Sequence, residues 1–563
     1  MCQDHARNRS SRDYFILKSI IVHNLYGVDI MEEAVEICKL RLFLKLVSQV
    51  ERVDQLEPLP DIDFNVRAGN TLIGFATLAD VKNAFKGTLA FGKDEVDRIV
   101  EEAEIVDRAF EKFHEMQTNF GLPGTAFAEC KRELRERLDR LTSELDAFLA
   151  GQYGIDTNKP NLLEAWRKSH QPFHWFAEFF GIMRRGGFDV IIGNPPYVEI
   201  PQTYSRVALR QLYRTALDRW SRDEDLYTLV VERSFQTISK QSGRYGMILP
   251  LSIAFSTKRP FQILRAHIAR MPCEWWWSHF DRIPSALFGN EVRTRCTIAI
   301  SGPLGRTKSA RHTTALSRWA TETRESLFPC LRYASFPTDT TIEGGIPEVG
   351  SQLQADALIE ILGRAIPLEA ALSDSIPFSR LASVAPKFPS QCVYVGGTAY
   401  NWFPVWREIP ETSDVHGNPS LPARTAGFQF QSDDEADVVF ALLASSLGYW
   451  WWAVASDGFN LKKWLLDRFP LGLEALGPQA RKELSALGSE LRSELRAHYV
   501  YKDNRGRIGN FFLPACSDLC AQVDACLSKH LPSLSAEFFE DVRDFNRGFS
   551  RSIVEESSGE DDA

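Results

Sequence analysis

The sequence predicts an α/β protein, with mostly parallel strands in a sheet, helices on both faces, and a helical hairpin set between strands. Three observations carry this. Between residues 20 and 300, short β-branched runs alternate with longer stretches of helical spacing. Within 95–149, two highly charged stretches repeat apolar residues every third or fourth position around a Gly-Leu-Pro-Gly break. Beyond about residue 310 the pattern loosens into short strands and turns rich in proline, glycine and aromatics, with helices returning from Pro478.

In chain order, residues 20–26 lead into Gly27-Val28-Asp29-Ile30, and 32–47 follow at helical spacing. This is a strand with an acidic tip, then a helix. Next come Ile62-Asp63-Phe64-Asn65-Val66 and Ala68-Gly69-Asn70-Thr71-Leu72, a strand and its exit turn. Val96, Ile99, Val100, Ala103, Val106, Phe110 and Phe113 form one apolar stripe, and Phe127, Leu134, Leu138, Leu141 and Leu145 a second. The two make an antiparallel hairpin whose charge reads as a solvated face. Residues 188–192, Phe-Asp-Val-Ile-Ile, predict a strand buried on both faces, ended by Gly193. A helix follows over 225–239, then strands from Met247 and over 296–300. Tyr449-Trp450-Trp451-Trp452 and residues 456–464 stand out in the later region.

One turn carries chemistry. Asn194-Pro195-Pro196-Tyr197 lies just past the carboxyl end of the 188–192 strand, where open α/β sheets bind ligands. The prolines remove backbone donors and fix φ, which leaves a stiff corner of carbonyl acceptors. Asn194 adds an amide and Tyr197 a flat aromatic face. Acceptors beside a stacking ring suit a planar ligand with an exocyclic amine, such as adenine.

The chain has 563 residues, 25% charged and 44% hydrophobic, enough for two or three domains with their own cores. It shows neither a long apolar span nor a signal-peptide pattern, and its ten cysteines include no Cys-x-x-Cys. These point to a reducing, cytoplasmic setting without a membrane. The net charge of −9 disfavours a nucleic-acid binder in sum. Its distribution matters more, because residues 555–563 are acidic and expected to be disordered. Residues 292–321 contain no acid while carrying Arg293, Arg295, Arg306, Lys308, Arg311 and Arg318, either a phosphate-contact surface or a solvated loop.

With the Asn-Pro-Pro-Tyr turn, the Asp29 tip and the Gly-Asn-Thr-Leu block, the sequence resembles the S-adenosylmethionine-dependent amino-methyltransferases. It is most similar to the gamma-class adenine-specific DNA methyltransferases, including those of type IIG restriction–modification proteins. The resemblance covers residues 13–300 well and the remainder more loosely. It implies a Rossmann-like methyltransferase sheet lacking its first strand, with the hairpin as an insertion at about 80–170. A methyltransferase domain over 1–310, a mixed α+β target-recognition domain over 311–477 and a C-terminal helical region over 478–563 follow. Asn194, Pro195, Pro196 and Tyr197 become catalytic. Asp29 takes the cofactor's ribose, Ile30 its adenine ring, Asn70 its adenine amine, and Tyr227 lines the methionine side. Tyr197 and Phe288 would stack a flipped target base between them. Arg306, Lys308, Arg311, Lys462 and Lys463 are the expected DNA contacts, and double-stranded DNA the partner.

The family's Phe-x-Gly-x-Gly loop has no counterpart ahead of Gly27. The expectation is a truncated reading frame, or a second polypeptide that supplies the first strand and its loop. A degenerate homologue that binds DNA without methylating it is the alternative, and an enzyme acting on RNA or protein glutamine a third. No metal is expected. Cys516, Cys520, Cys526 and His530 read as buried residues of an amphipathic helix, and Pro60-Asp61 with Asp80-Val81-Lys82 only superficially imitates a nuclease motif.

Overall fold

The structure, a computed structural model, describes residues 12–50, 59–86, 93–119, 124–217, 224–239, 241–289, 293–304, 310–376, 389–399, 402–420, 422, 424–503 and 507–543. Packing divides the chain into two units. The first holds 1–245, 258–264 and 303–306; the second holds the rest.

The first unit opens with α1 (Arg12–Asn24), β1 (Gly27–Asp29), α2 (Glu32–Val47) and β2 (Val66–Ala68). β1 and β2 pair in parallel, Gly27 opposite Val66 and Asp29 opposite Ala68. Tyr14, Ile21, Val35, Leu46, Ile62 and Val66 bury their apolar faces together beneath them. The second strand begins at Val66 rather than Ile62, because 62–65 fold into a turn in which Val66 N donates to Ile62 O at 3.0 Å. Asn65 explains the turn. Only 1% exposed, its amide donates to Val22 O at 2.8 Å and so satisfies a carbonyl near the end of α1.

The hairpin forms as expected, from α3 (Lys93–Asn119) and α4 (Gly124–Gln152). Its antiparallel sense is fixed by Arg98 with Glu144 at 2.8 Å and by Phe113 stacked on Phe127 at 5.0 Å. Leu134, Leu138, Leu141 and Leu145 are the buried stripe, and residues 121–123 of the break lie outside the described residues. The hairpin is tied to the rest of the unit by a polar chain. Asp146 takes Arg167 Nε at 2.9 Å and His174 Nε2 at 3.1 Å, while His174 Nδ1 accepts from Phe75 N at 3.2 Å. The proton therefore sits on Nε2.

After the hairpin come β3 (Val190–Gly193) and α5 (Leu226–Thr237). β3 is not buried on both faces: Val190 is 58% and Ile192 81% exposed. It stands at the end of its sheet, with no covering layer over those side chains among the described residues.

β4 (Arg244–Pro250) starts in the first unit and continues in the second. The sheet of the second unit runs β4, β6 (Cys296–Ser301), β5 (Glu274–Phe280), β7 (Ala310–Ser317), β8 (Ala334–Phe336). This corrects the expectation of mostly parallel strands. Only β5 with β7 is parallel there; β4 with β6, β5 with β6 and β7 with β8 are antiparallel. β6 enters between β4 and β5 in reverse, with no crossover helix between β5 and β6 among the described residues.

Two further four-stranded sheets follow, made from the short strands of 374–429 and 499–511. They pack with α6 (Asp433–Ala444), α7 (Ser446–Ala455), α8 (Pro478–Ala497) and α9 (Ser517–His530). The Tyr449–Trp452 run lies in α7, where Trp450, Trp451 and Trp452 are buried. Each indole N–H finds an acceptor: Gln354 Oε1 at 2.9 Å, Leu465 O at 2.8 Å and Asn460 O at 3.2 Å. Among the described residues no single helix is long and apolar enough to cross a membrane, and α6 and α7 meet at a 61° bend inside the core.

Glu348 is the unusual buried group. It is 1% exposed, and neither carboxylate oxygen has a hydrogen-bond partner among the described residues. Burial, aided by the charge of Asp457, holds its carboxyl well above the usual carboxylate range. A raised folded-state value favours folding below the ordinary glutamate range, and that contribution is lost as pH rises through and above it. Glu348→Gln is accordingly expected to be more stable than the parent at pH 8, with the gap in urea midpoint closing toward pH 4. An equal gap at both pH values contradicts this.

Candidate functional site

The corner after β3 is built from both sides. Asn194 and Pro196 are exposed, Pro195 is buried and Tyr197 half-buried. The Tyr197 hydroxyl donates to Asn194 Oδ1 at 2.9 Å, which fixes the amide with its oxygen toward the ring. Tyr197 packs edge-on against Tyr227 at 6.3 Å. Tyr227 is fully buried in the first turn of α5 and also meets Phe261 at 5.9 Å, so its role here is to back Tyr197.

The chain leaving Tyr197 is clasped to the start of α5. Leu226 N donates to Val198 O at 2.8 Å and Ile200 N to Glu224 O at 3.2 Å. Glu224, 1% exposed, pairs with Arg206 and accepts from Leu217 N at 2.9 Å. These residues hold the corner in place. Residue order does not announce them, because an Arg–Glu pair 18 residues apart follows no helical or strand spacing.

Asp29 is exposed at the tip of β1, with Oδ1 accepting from Met31 N at 2.8 Å. Its backbone oxygen takes Gly69 N at 2.8 Å, which sets it beside the Gly-Asn-Thr-Leu turn. Gly69 is needed there: a Cβ would lie 2.7 Å from the Phe173 ring. Ile30 is 48% exposed next to Asp29. An exposed carboxylate beside an exposed apolar side chain fits a ribose diol and a flat base.

Asn70 lies in the turn that follows β2. It is 5% exposed, with Nδ2 donating to Tyr204 Oη at 2.7 Å and Oδ1 accepting from Leu72 N at 3.1 Å. Its amide closes the turn internally.

Phe288 belongs to the second unit and is 38% exposed, ahead of Gly289 at φ +76°. Its segment is anchored by Ser285 N to Trp319 O at 3.2 Å and by Arg324 on Leu287 O. Arg306 and Lys308 lie outside the described residues. Arg311 is not a surface cation: 4% exposed, it donates to Thr340 O at 2.9 Å and Thr338 O at 2.8 Å, and burial lowers its pKa to about 10. Lys462 lies over the Phe255 ring at 5.0 Å, and Lys463 pairs with Asp467 at 2.6 Å.

The motif imitations dissolve in the same way. Asp61 pairs with Lys131, and Asp80 caps the N–H groups of Ala76 and Thr77. Glu483, Cys526 and His530 do bring ligand-type atoms together, without Cys516 or Cys520. Lys529 sits on the same carboxylate at 2.9 Å, and burial pushes the Cys526 thiol up to about 11. Glu483 of α8 is thus ion-paired to Lys529 and His530 of α9.

Residues 23–272 match the family model described as Eco57I restriction-modification methylase. The matched span contains Asp29, Asn70, the Asn194–Tyr197 corner and Tyr227. A protein of Methanocaldococcus jannaschii named as a type II restriction enzyme and methyltransferase is 29% identical over 294 residues. The alignment covers 45% of this chain and 24% of that protein, so the chain spans about a quarter of its relative's length. Among solved structures, the type IIL restriction-modification enzyme MmeI in complex with DNA aligns at TM-score 0.35 and 11% identity, over 65% of this chain and 57% of that one. A nuclease-deletion mutant of the type ISP enzyme LlaGI aligns at TM-score 0.35 and 11% identity, over 80% and 56%.

Proposed function

We propose that the protein is a site-specific DNA methyltransferase that transfers a methyl group from S-adenosylmethionine to the exocyclic amine of a flipped adenine, in restriction–modification or phage defence. The observation that carries this is the corner itself. An exposed Asn194, its oxygen set by Tyr197, stands beside the Pro195 carbonyl at the carboxyl end of β3.

A duplex hides the amine of adenine, so the base must rotate out of the stack, at a cost of a few kcal/mol. Asn194 Oδ1 and the Pro195 carbonyl would accept its two N–H groups. That draws the nitrogen lone pair out of the ring, and favours the tetrahedral geometry that attack requires. Tyr197 offers its ring to one face of the base, a stack worth about 0.5–1.5 kcal/mol beyond the area it buries. When bound, S-adenosylmethionine supplies the electrophilic methyl; Asp29 and Ile30 would hold its ribose and adenine. Residues 1–310 would then be the transferase domain, on a Rossmann-like sheet with the hairpin as its insertion. Residues 311–477 would read sequence in the major groove, with Lys462 and Lys463 on phosphates.

A second reading is a DNA-binding homologue without transfer activity. The internal bonding of Asn70 favours it. Tritiated methyl transfer by protein purified from its natural host, with duplex DNA, RNA and protein competing, separates the readings. The proposal expects label in DNA as N6-methyladenine; label in RNA or protein, or none anywhere, overturns it.

A further inference from the structure

Residues 499–511 lie beyond the 311–477 span expected to read sequence, yet they fold as strands of the same second unit. β9 (Tyr499–Asp503) and β10 (Arg507–Phe511) pair antiparallel, Tyr499 opposite Phe511 and Tyr501 opposite Gly509. Thr412 pairs with Ile508, which joins this two-stranded ribbon to the strands of 412–420. Side chains alternate between the faces of a strand, so Tyr499, Tyr501 and Arg507 share one face with Phe511.

That face carries a fixed row of planar groups. Its inner end is Phe511, 9% exposed and part of the apolar core of the unit. Tyr499 packs on Phe511 at 4.7 Å, and Tyr501 stands edge-on to Tyr499 at 5.2 Å. Gly509 makes room for the row, because a Cβ there would run into the Tyr499 hydroxyl. Both hydroxyls are tied to one residue: Glu411 N donates to Tyr499 Oη at 2.7 Å, and Tyr501 donates to Glu411 Oε2 at 2.9 Å. The outer end is Arg507, which is exposed, with Cζ 3.7 Å from the centre of the Tyr501 ring. At that distance the guanidinium lies on the ring face. Among the described residues no carboxylate or carbonyl takes its N–H groups.

This combination suits one kind of acceptor. A guanidinium laid on an anchored ring keeps its fork of donors in one plane, so little side-chain freedom is left to lose on binding. Its complement is a flat edge with two neighbouring acceptors. A two-stranded ribbon fits the major groove of a duplex, where O6 and N7 of guanine form such an edge. Residues 499–511 also carry Lys502, Arg505 and Arg507 against the single acid Asp503, a local positive excess in a chain of net charge −9.

We infer that the ribbon of β9 and β10 enters the major groove of the target duplex and that Arg507 reads a guanine there through O6 and N7. On the methyltransferase reading, on which this rests for its duplex partner, Arg507 fixes one position of the methylated sequence.

Selection from a pool of random duplexes by the full chain reads binding preference without methyl transfer. Arg507→Lys keeps the charge and loses the planar fork; Arg507→Gln loses both. The parent is expected to select a sequence with a required guanine. Both variants should lose preference for that guanine by ~10-fold or more, while the other selected positions persist. Melting temperatures equal to the parent's are expected, since the exposed side chain holds no other element in place. A guanine preference kept by Arg507→Lys overturns the assignment, because a phosphate contact needs only the charge. Weakening of Arg507→Gln that is uniform across sequences overturns it too, as does a parent that requires no guanine. A chain that selects this sequence but transfers no methyl group defeats the transferase reading and leaves Arg507 its role; methylation at a sequence unchanged in Arg507→Lys does the reverse.

Discussion

Asn194→Ala is expected to lower methyl transfer by about 10²–10³-fold while duplex DNA binding stays within about twofold, the loss typical of removing one aligned polar group from a reacting centre. The side chain is exposed and, among the described residues, bonds only to the Tyr197 hydroxyl, so its removal disturbs little of the fold. Tyr197→Phe separates two effects. It keeps the stacking ring and loses the bond that orients the amide, so a smaller fall in rate is expected, with base affinity retained. Single-turnover transfer together with a gel-shift titration reads both variants. Equal rates for the parent and Asn194→Ala would remove the acceptor role.

The largest expected effect on stability lies at Asp281. This carboxylate is 1% exposed and holds two guanidinium groups, Arg295 Nε on Oδ1 at 2.7 Å and Arg318 Nε on Oδ2 at 3.0 Å. It also accepts from Arg282 N at 2.7 Å. Asp281→Ala leaves both cations buried without their counter-charge, at a cost of about 3–5 kcal/mol. The urea midpoint of the second unit should fall accordingly. A midpoint within experimental error of the parent would mean that water reaches these arginines.

Much of this architecture was legible in residue order. Gly27-Val28-Asp29 and the helix after it, the hairpin over α3 and α4, and the position of the Asn-Pro-Pro-Tyr corner all follow from local periodicity and turn chemistry, which need no knowledge of distant partners. What failed depends on such partners. Strand direction is one case: the β-branched pattern of 296–300 announces a strand but not that it runs backward between two others. Burial of charge is another. Arg311 and Lys308 look alike in a basic stretch, yet Arg311 turns inward onto two carbonyls 27 and 29 residues away. The bond of Asn70 to Tyr204, 134 residues on, is likewise invisible in residue order. The reverse error occurred at Val190 and Ile192, where an apolar run read as core lies open to solvent.

If the stiff corner at Asn194 presents acceptors to the amino group of an extruded adenine, methylation in the natural host depends on that one side chain. Sequencing of modified bases in its genomic DNA, parent against Asn194→Ala, reads this out. N6-methyladenine is expected at one recurring sequence in the parent and unmodified adenine at that sequence in the variant. Methylation persisting in the variant, or a methyl group found on cytosine instead, would contradict it.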